Sequence, residues 1–200
     1  FAIYSMDLAT KEVELLTTVG GSAAGLDWSP NGRKLAYSAS YGPRMGRLFV
    51  YDLDIKELRQ LGGMINSSLG APSWSPDSRT IALSTLQPYS SRYREGVNSV
   101  LFVDAQNGSR RLLGGLPHFS VGTRAYNGPV WSPDGRFLAA ISARRLWLIP
   151  IDGNYQLAGE PIPLTEYLAD APSWSADGQQ LLYLATDHLE RMQLANRATQ

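Results

Sequence analysis

Hydrophobic and polar positions along the chain fall into short runs of period two or of continuous apolar character, separated by clusters of Gly, Pro, Asp, Asn and Ser. That texture predicts strands and turns, and no 3.6-residue period competes with it. The runs also recur. Four stretches align on a tryptophan: 25–37 (GLDWSPNGRKLAY), 71–83 (APSWSPDSRTIAL), 128–140 (GPVWSPDGRFLAA) and 171–183 (APSWSADGQQLLY). From Trp28 to Trp74 is 46 residues, from Trp74 to Trp131 is 57, and from Trp131 to Trp174 is 43. A unit of about 43–46 residues with one insertion accounts for all three spacings.

Each unit has a physical reading. A short strand ends at the tryptophan. In the turn that follows, Pro fixes φ, Asp or Asn bonds nearby backbone, and Gly takes positive φ. Ser78 stands where the other copies have Gly, and Ala176 where they have Pro; both residues are compatible with a turn. A second strand follows at 34–40, 80–86, 137–142 and 180–185, and a third at 48–53, 100–104 and 146–151. A second polar turn leads to a fourth strand at 57–61, 110–113 and, less regularly, 156–164. Four-stranded antiparallel units at this spacing predict an all-β fold, a β-propeller with about four blades present.

The division expected is a half blade at 1–20, blades at 21–63, 64–115 and 116–165, and a partial blade at 166–200. Segments 2–8 and 12–17 read as third and fourth strands with no first and second before them. A third strand at 188–194 competes with them for one slot in a closed ring. The expectation is a section of a larger ring, whose unclosed edges self-associate.

Composition narrows the function. Hydrophobic residues are 44% and charged residues 18%, enough apolar material for a core. Lys plus Arg and Asp plus Glu are 18 each, so net charge is zero and nucleic acid is not the expected partner. No apolar run approaches the ~18 residues of a membrane helix. Without Cys there is neither a disulfide nor a thiolate metal site. His118 and His188 are the only histidines and fall in different units, which makes neither a metal site nor a triad. No Gly-x-Ser-x-Gly elbow or phosphate loop occurs. Asp77, Asp134 and Asp177 recur in equivalent turns and read as structural. Trp28, Trp74, Trp131 and Trp174 read as packing between neighbouring sheets, since one place repeated in every unit serves the repeat. First strands, which would line the axis, carry Asp27 as their one ionisable residue, a poor basis for a lyase site. No catalytic residue, metal or cofactor is expected.

Two long insertions stand apart, 87–98 and 114–127. Alternating strand directions put both on the face opposite the Ser-Pro-Asp-Gly turns. Their Tyr89, Arg92, Tyr93, Arg94, His118, Phe119, Arg124 and Tyr126 have the Tyr/Arg-rich composition of interface hot spots. They form the candidate interaction face.

The repeated Trp-Ser-Pro-Asp-Gly followed by an apolar strand resembles the TolB-like, WD40-like β-propeller repeats of bacteria, over essentially the whole chain. The resemblance implies a periplasmic or extracytoplasmic setting and a non-catalytic module that binds protein partners. Segment 169–184, with 144–151 and 161–165, is also similar to the propeller portions of large bacterial amidohydrolases, and such propellers precede prolyl-oligopeptidase-type peptidases as well. That resemblance implies a gating or supporting domain, with the catalytic residues on a separate domain.

Overall fold

The computed structural model describes residues 1–42, 46–65, 70–88, 96–116, 119–122, 128–185 and 188–193. They form five antiparallel sheets. The first is a hairpin of β1 (Ala2–Met6) and β2 (Val13–Thr18). A four-stranded sheet follows: β3 (Ser22–Trp28), β4 (Lys34–Ser40), β5 (Gly46–Asp52) and β6 (Glu57–Ile65). The third sheet contains β7 (Ser73–Trp74), β8 (Thr80–Pro88), β9 (Gly96–Asp104) and β10 (Arg110–Leu112). The fourth contains β11 (Val130–Trp131), β12 (Phe137–Ser142), β13 (Arg145–Pro150) and β14 (Ile162–Pro163). The last has three strands, β15 (Ala169–Trp174), β16 (Gln180–Ala185) and β17 (His188–Gln193). Every sheet of four keeps chain order, each strand pairing with the next. This is a partial β-propeller.

The Ser-Pro-Asp-Gly turn explains why the repeat needs its serine. Ser75 Oγ donates to Asp77 Oδ1 at 2.6 Å and accepts the Thr80 N–H at 2.9 Å. Asp77 Oδ1 also accepts the Arg79 N–H at 3.1 Å. The same set recurs at Ser29/Asn31/Lys34, Ser132/Asp134/Phe137 and Ser175/Asp177/Gln180. One hydroxyl and one carboxylate thus satisfy backbone groups that the turn leaves unpaired. Gly32, Gly135 and Gly178 take φ of 72°, 73° and 71°, and Ser78 adopts 59° in their place.

The three four-stranded sheets are apolar on both faces because each is sandwiched between neighbours. Four clusters fill the four seams. At the first, Ile3 and Val19 pack on Leu35, Tyr37, Phe49 and Tyr51. Leu48, Val50 and Leu61 meet Trp74, Ile81 and Leu101 at the second. The third holds Val100, Phe102, Trp131 and Ile149, and the fourth Ile141, Leu148, Leu181 and Tyr183. The innermost strands approach closely. A Cβ on Gly128 would collide with the Ala71 carbonyl oxygen, so only glycine fits there.

The first insertion differs from the loop expected at 87–98. Gln87 pairs with Val97 and Pro88 with Gly96, so β8 and β9 continue as a hairpin beyond the sheet. The sequence pattern hides this extension, because Pro88 and Gly96 read as breakers. The fourth strand of the fourth sheet is shorter than the expected 156–164, reduced to Ile162–Pro163 with an isolated bridge from Ile151 to Leu157.

Candidate functional site

Of the residues expected to form the interaction face, Tyr89, Arg92, Tyr93, Arg94, His118, Arg124 and Tyr126 lie outside the described residues. Phe119 is described. It is partly buried against the third seam and meets Trp147 edge to face at 5.1 Å. It therefore anchors its segment, a packing role that its place in a polar stretch does not announce.

The described feet of the two insertions are bonded together. Val121 N–H donates to the Asn98 carbonyl at 2.8 Å, and Asn98 N–H donates to Ser120 Oγ at 3.1 Å. The same short segment ties into both flanking sheets. Gly122 N–H donates to the Ile141 carbonyl at 2.7 Å, and Ser84 Oγ donates to the Gly122 carbonyl at 2.8 Å. Val121, fully buried, forms an isolated bridge with Ser142. The extended β8–β9 hairpin and the link into the next sheet thus leave one face from a common, rigid base.

The recurring tryptophans divide into two groups. Trp74 is 4% exposed; its indole N–H donates to the Asp27 carbonyl at 3.1 Å across the seam. Trp174 makes the equivalent bond to the Val130 carbonyl, also at 3.1 Å. The acceptor in each case is the residue before the preceding tryptophan. Trp131 is 6% exposed, between Phe102 and Tyr155, and its Nε1 has no partner among the described residues. Trp28 departs from the expected packing: it is 49% exposed, and Leu26 beside it 59%. The reason is positional. The β1–β2 hairpin covers β4 and β5, but among the described residues no strand lies beyond it to cover β3.

Among the described carboxylates, Asp27 has the largest upward displacement. Burial pushes it to about 6, although the Trp74 and Trp28 N–H groups pull the other way. Its Oδ2 accepts the Trp74 N–H at 2.8 Å; Ser73 Oγ plays the same part for Trp131 N–H at 3.1 Å. Asp27 is therefore an inner-strand latch. The turn acids behave differently. Burial raises Asp134, but the Ser132 hydroxyl, the Arg136 N–H and its guanidinium outweigh it and hold the carboxyl low. Asp177 is lowered by the Ser175 hydroxyl and the Gln179 N–H. Among the described residues, no three His, Cys, Asp or Glu side chains gather as a metal site would require.

A family model described as the TolB beta propeller domain matches residues 1–198. The chain belongs to the TolB β-propeller family. Solved structures agree on the fold. TolB from Acinetobacter baumannii superposes with a TM-score of 0.68 at 23% identity, covering 96% of this chain and 46% of that one. A putative TolB from Agrobacterium tumefaciens gives 0.67 at 18% identity, over 96% of this chain and 65% of its own. Hydrazine synthase of Kuenenia stuttgartiensis gives 0.73 at 16%, over 97% and 65%. This chain spans less than two thirds of each of those proteins, and at these identities the likeness concerns the fold. Among curated proteins, none matches the chain.

Proposed function

We propose that this chain is a non-catalytic interaction module of the TolB type. Its stacked sheets act as a rigid base, and the two insertions present a Tyr/Arg-rich surface to a protein partner or a neighbouring domain. The observation that carries this reading is the bonded pair of insertion feet, Asn98 with Ser120 and Val121. Two loops that share a base move as one surface, which lowers the ordering cost of binding. The turn acids support the same reading, since Asp134 and Asp177 are engaged by the backbone and hydroxyls of their own turns.

A photo-crosslinker placed at Tyr93 or His118, compared with one at Asp77 or Asp134 on the turn face, tests this. Adducts to a discrete protein should form from the insertion face alone. They should disappear when Tyr89, Arg92, Tyr93 and Arg94 are all changed to Ser. Equal labelling from both faces would refute the proposal.

A second reading rests on the coverage of 46–65% of the related structures. The module would support or gate a catalytic domain carried elsewhere in a larger protein. In either reading the exposed Leu26 and Trp28, with the edge of β1 that has no partner strand among the described residues, are the seat of further strands that would extend the hairpin's sheet. Mass measured by sedimentation at several concentrations tests whether a second copy fills that seat.

A further inference from the structure

The outer ends of the seams repeat one place of contact, and at the third seam a cleft lies beside it. In each of the first four sheets the turn after the strand before last opens with an aspartate whose carboxylate caps backbone N–H groups: Asp7, Asp52, Asp104 and Asp152. Four residues on, Lys11, Lys56 and Gly108 take left-handed φ of 64°, 54° and 74°. In the fourth sheet the turn is one residue shorter and the left-handed residue is Tyr155, at 59°. The first two seams close at this place. Lys56 Nζ reaches Glu14 Oε1 at 2.6 Å across the first. At the second, Gly108 sits so close that a Cβ would lie 3.1 Å from the Gly62 nitrogen. At the third, the Arg111 side chain reaches the Asn154 carbonyl across the seam, and a cleft of about 480 Å³ lies beside this contact.

Among the described residues, Tyr155, Arg111 and Asp104 keep hydrogen-bonding capacity to spare beside an aromatic floor. Tyr155 packs on Phe102, ring centres 5.3 Å apart, and accepts from Thr80 Oγ1 at 2.8 Å. Its own phenolic hydrogen stays available. Arg111 pairs across the ladder with Phe102, which points its side chain to this side of the sheet. Its Nη1 donates to the Asn154 carbonyl and bridges the cleft; its other N–H groups remain. Arg110 also borders the cleft, but its side-chain carbons lie against Gly62 in the second seam. Asp104 uses one oxygen for the Gln106 and Asn107 N–H groups and keeps the second. The Asn154 amide completes the wall.

We propose that this cleft is a binding site for a neutral, hydroxyl-rich ligand, a saccharide of one or two rings. Arg111 and Asp104, the charged side chains on the Phe102 face of the sheet, are opposite in sign, while the Arg110 side-chain carbons lie against Gly62 in the second seam. The lining offers donors on Arg111 and Tyr155 and an acceptor on Asp104, the mix that hydroxyl groups can satisfy. Tyr155 offers a ring against which the C–H face of a pyranose can lie. The volume falls in the range of small-ligand sites, about 300–1,000 Å³. The left-handed Tyr155 carries a backbone cost, and packing against Phe102 and Trp131 holds it there.

The test is saturation-transfer NMR titration of the full chain with D-glucose, N-acetyl-D-glucosamine, D-glucuronate and D-glucosamine. The neutral sugars should bind saturably with Kd of about 1–10 mM, and the two charged sugars no more tightly. Arg111→Ala and Tyr155→Phe should each weaken binding about tenfold. Arg59→Ala, on the edge strand of the neighbouring sheet, should leave it unchanged. No saturable binding of any neutral sugar at about 100 mM would overturn the proposal. So would binding that both cleft variants leave intact, or a charged sugar binding about tenfold more tightly than the neutral ones.

Discussion

Trp74 and Trp28 occupy the same place in successive repeats, yet one is 4% exposed and the other 49%. Their local sequences are nearly alike, and each ends a first strand before a Ser-Pro turn. The difference lies in what stands on the side facing the preceding sheet. Trp74 finds Ala36, Leu48 and Leu61 there, and the Asp27 carbonyl for its indole. Trp28 has only the hairpin β1–β2, which covers the outer strands. The contrast teaches that in this repeat a residue's burial is set by the neighbouring sheet. The repeat encodes a face, and the stack turns it into core.

The largest effect that can break this contrast is on stability. Trp74→Ala should cost about 3–5 kcal/mol in urea denaturation, the range for a buried tryptophan. Trp28→Ala should cost less than about 1 kcal/mol, since a half-exposed ring removes little area from water. Equal losses would mean that Trp28 is covered in solution.

Gly128→Ala sharpens the same point at the inner strands. With the new methyl driven into the Ala71 carbonyl, we expect a loss of about 1–3 kcal/mol from crowding, added to any change in chain entropy. Gly32→Ala meets no atom within 4 Å, so left-handed strain alone should cost about 1 kcal/mol. Thermal melts of the two variants separate crowding between sheets from strain within a turn.

A smaller effect is expected from Asp27. Its folded pKa of about 6 lies above the ordinary carboxylate value, so the folded state binds its proton more tightly than the unfolded state. The contribution of this group to stability is therefore greatest at low pH and is lost as pH rises from about 4 through 6. Asn keeps an acceptor for the Trp74 N–H and carries no charge to bury. Asp27→Asn should accordingly be more stable at pH 7 by about 1–2 kcal/mol and lack that decline. A variant with an unchanged pH profile would place the Asp27 carboxylate in water and leave Trp74 without its latch.

The strands and turns are legible in the sequence because the repeat states them four times. The second strands expected at 34–40, 137–142 and 180–185 coincide with β4, β12 and β16, and the Asp-centred turns have the hydrogen bonds that their residue types require. Less legible is whatever depends on one sheet meeting another. Nothing in the sequence around Trp28 separates it from Trp74. Nor does Phe119 advertise its contact with Trp147, or the turn at Asp152 the cleft beside it. The role of Ser in the turn escapes the sequence for a different reason. Its hydroxyl acts through a residue two positions on and another five on, a pattern that reads as polarity until the bonds are drawn. Composition and loop length point to the two insertions as the proposed interaction face, and the structure describes the feet of these insertions at Asn98, Phe119, Ser120, Val121 and Gly122.

Hydrogen exchange of the indole N–H groups, read by NMR on the intact chain, tests the central contrast most directly. Trp74 and Trp174, bonded across their seams to the Asp27 and Val130 carbonyls, should exchange slowly. Trp28 should exchange at close to the rate of a free indole. Protection of Trp28 equal to that of Trp74 would contradict the account, because it would show a covered first seat where the structure has an open one.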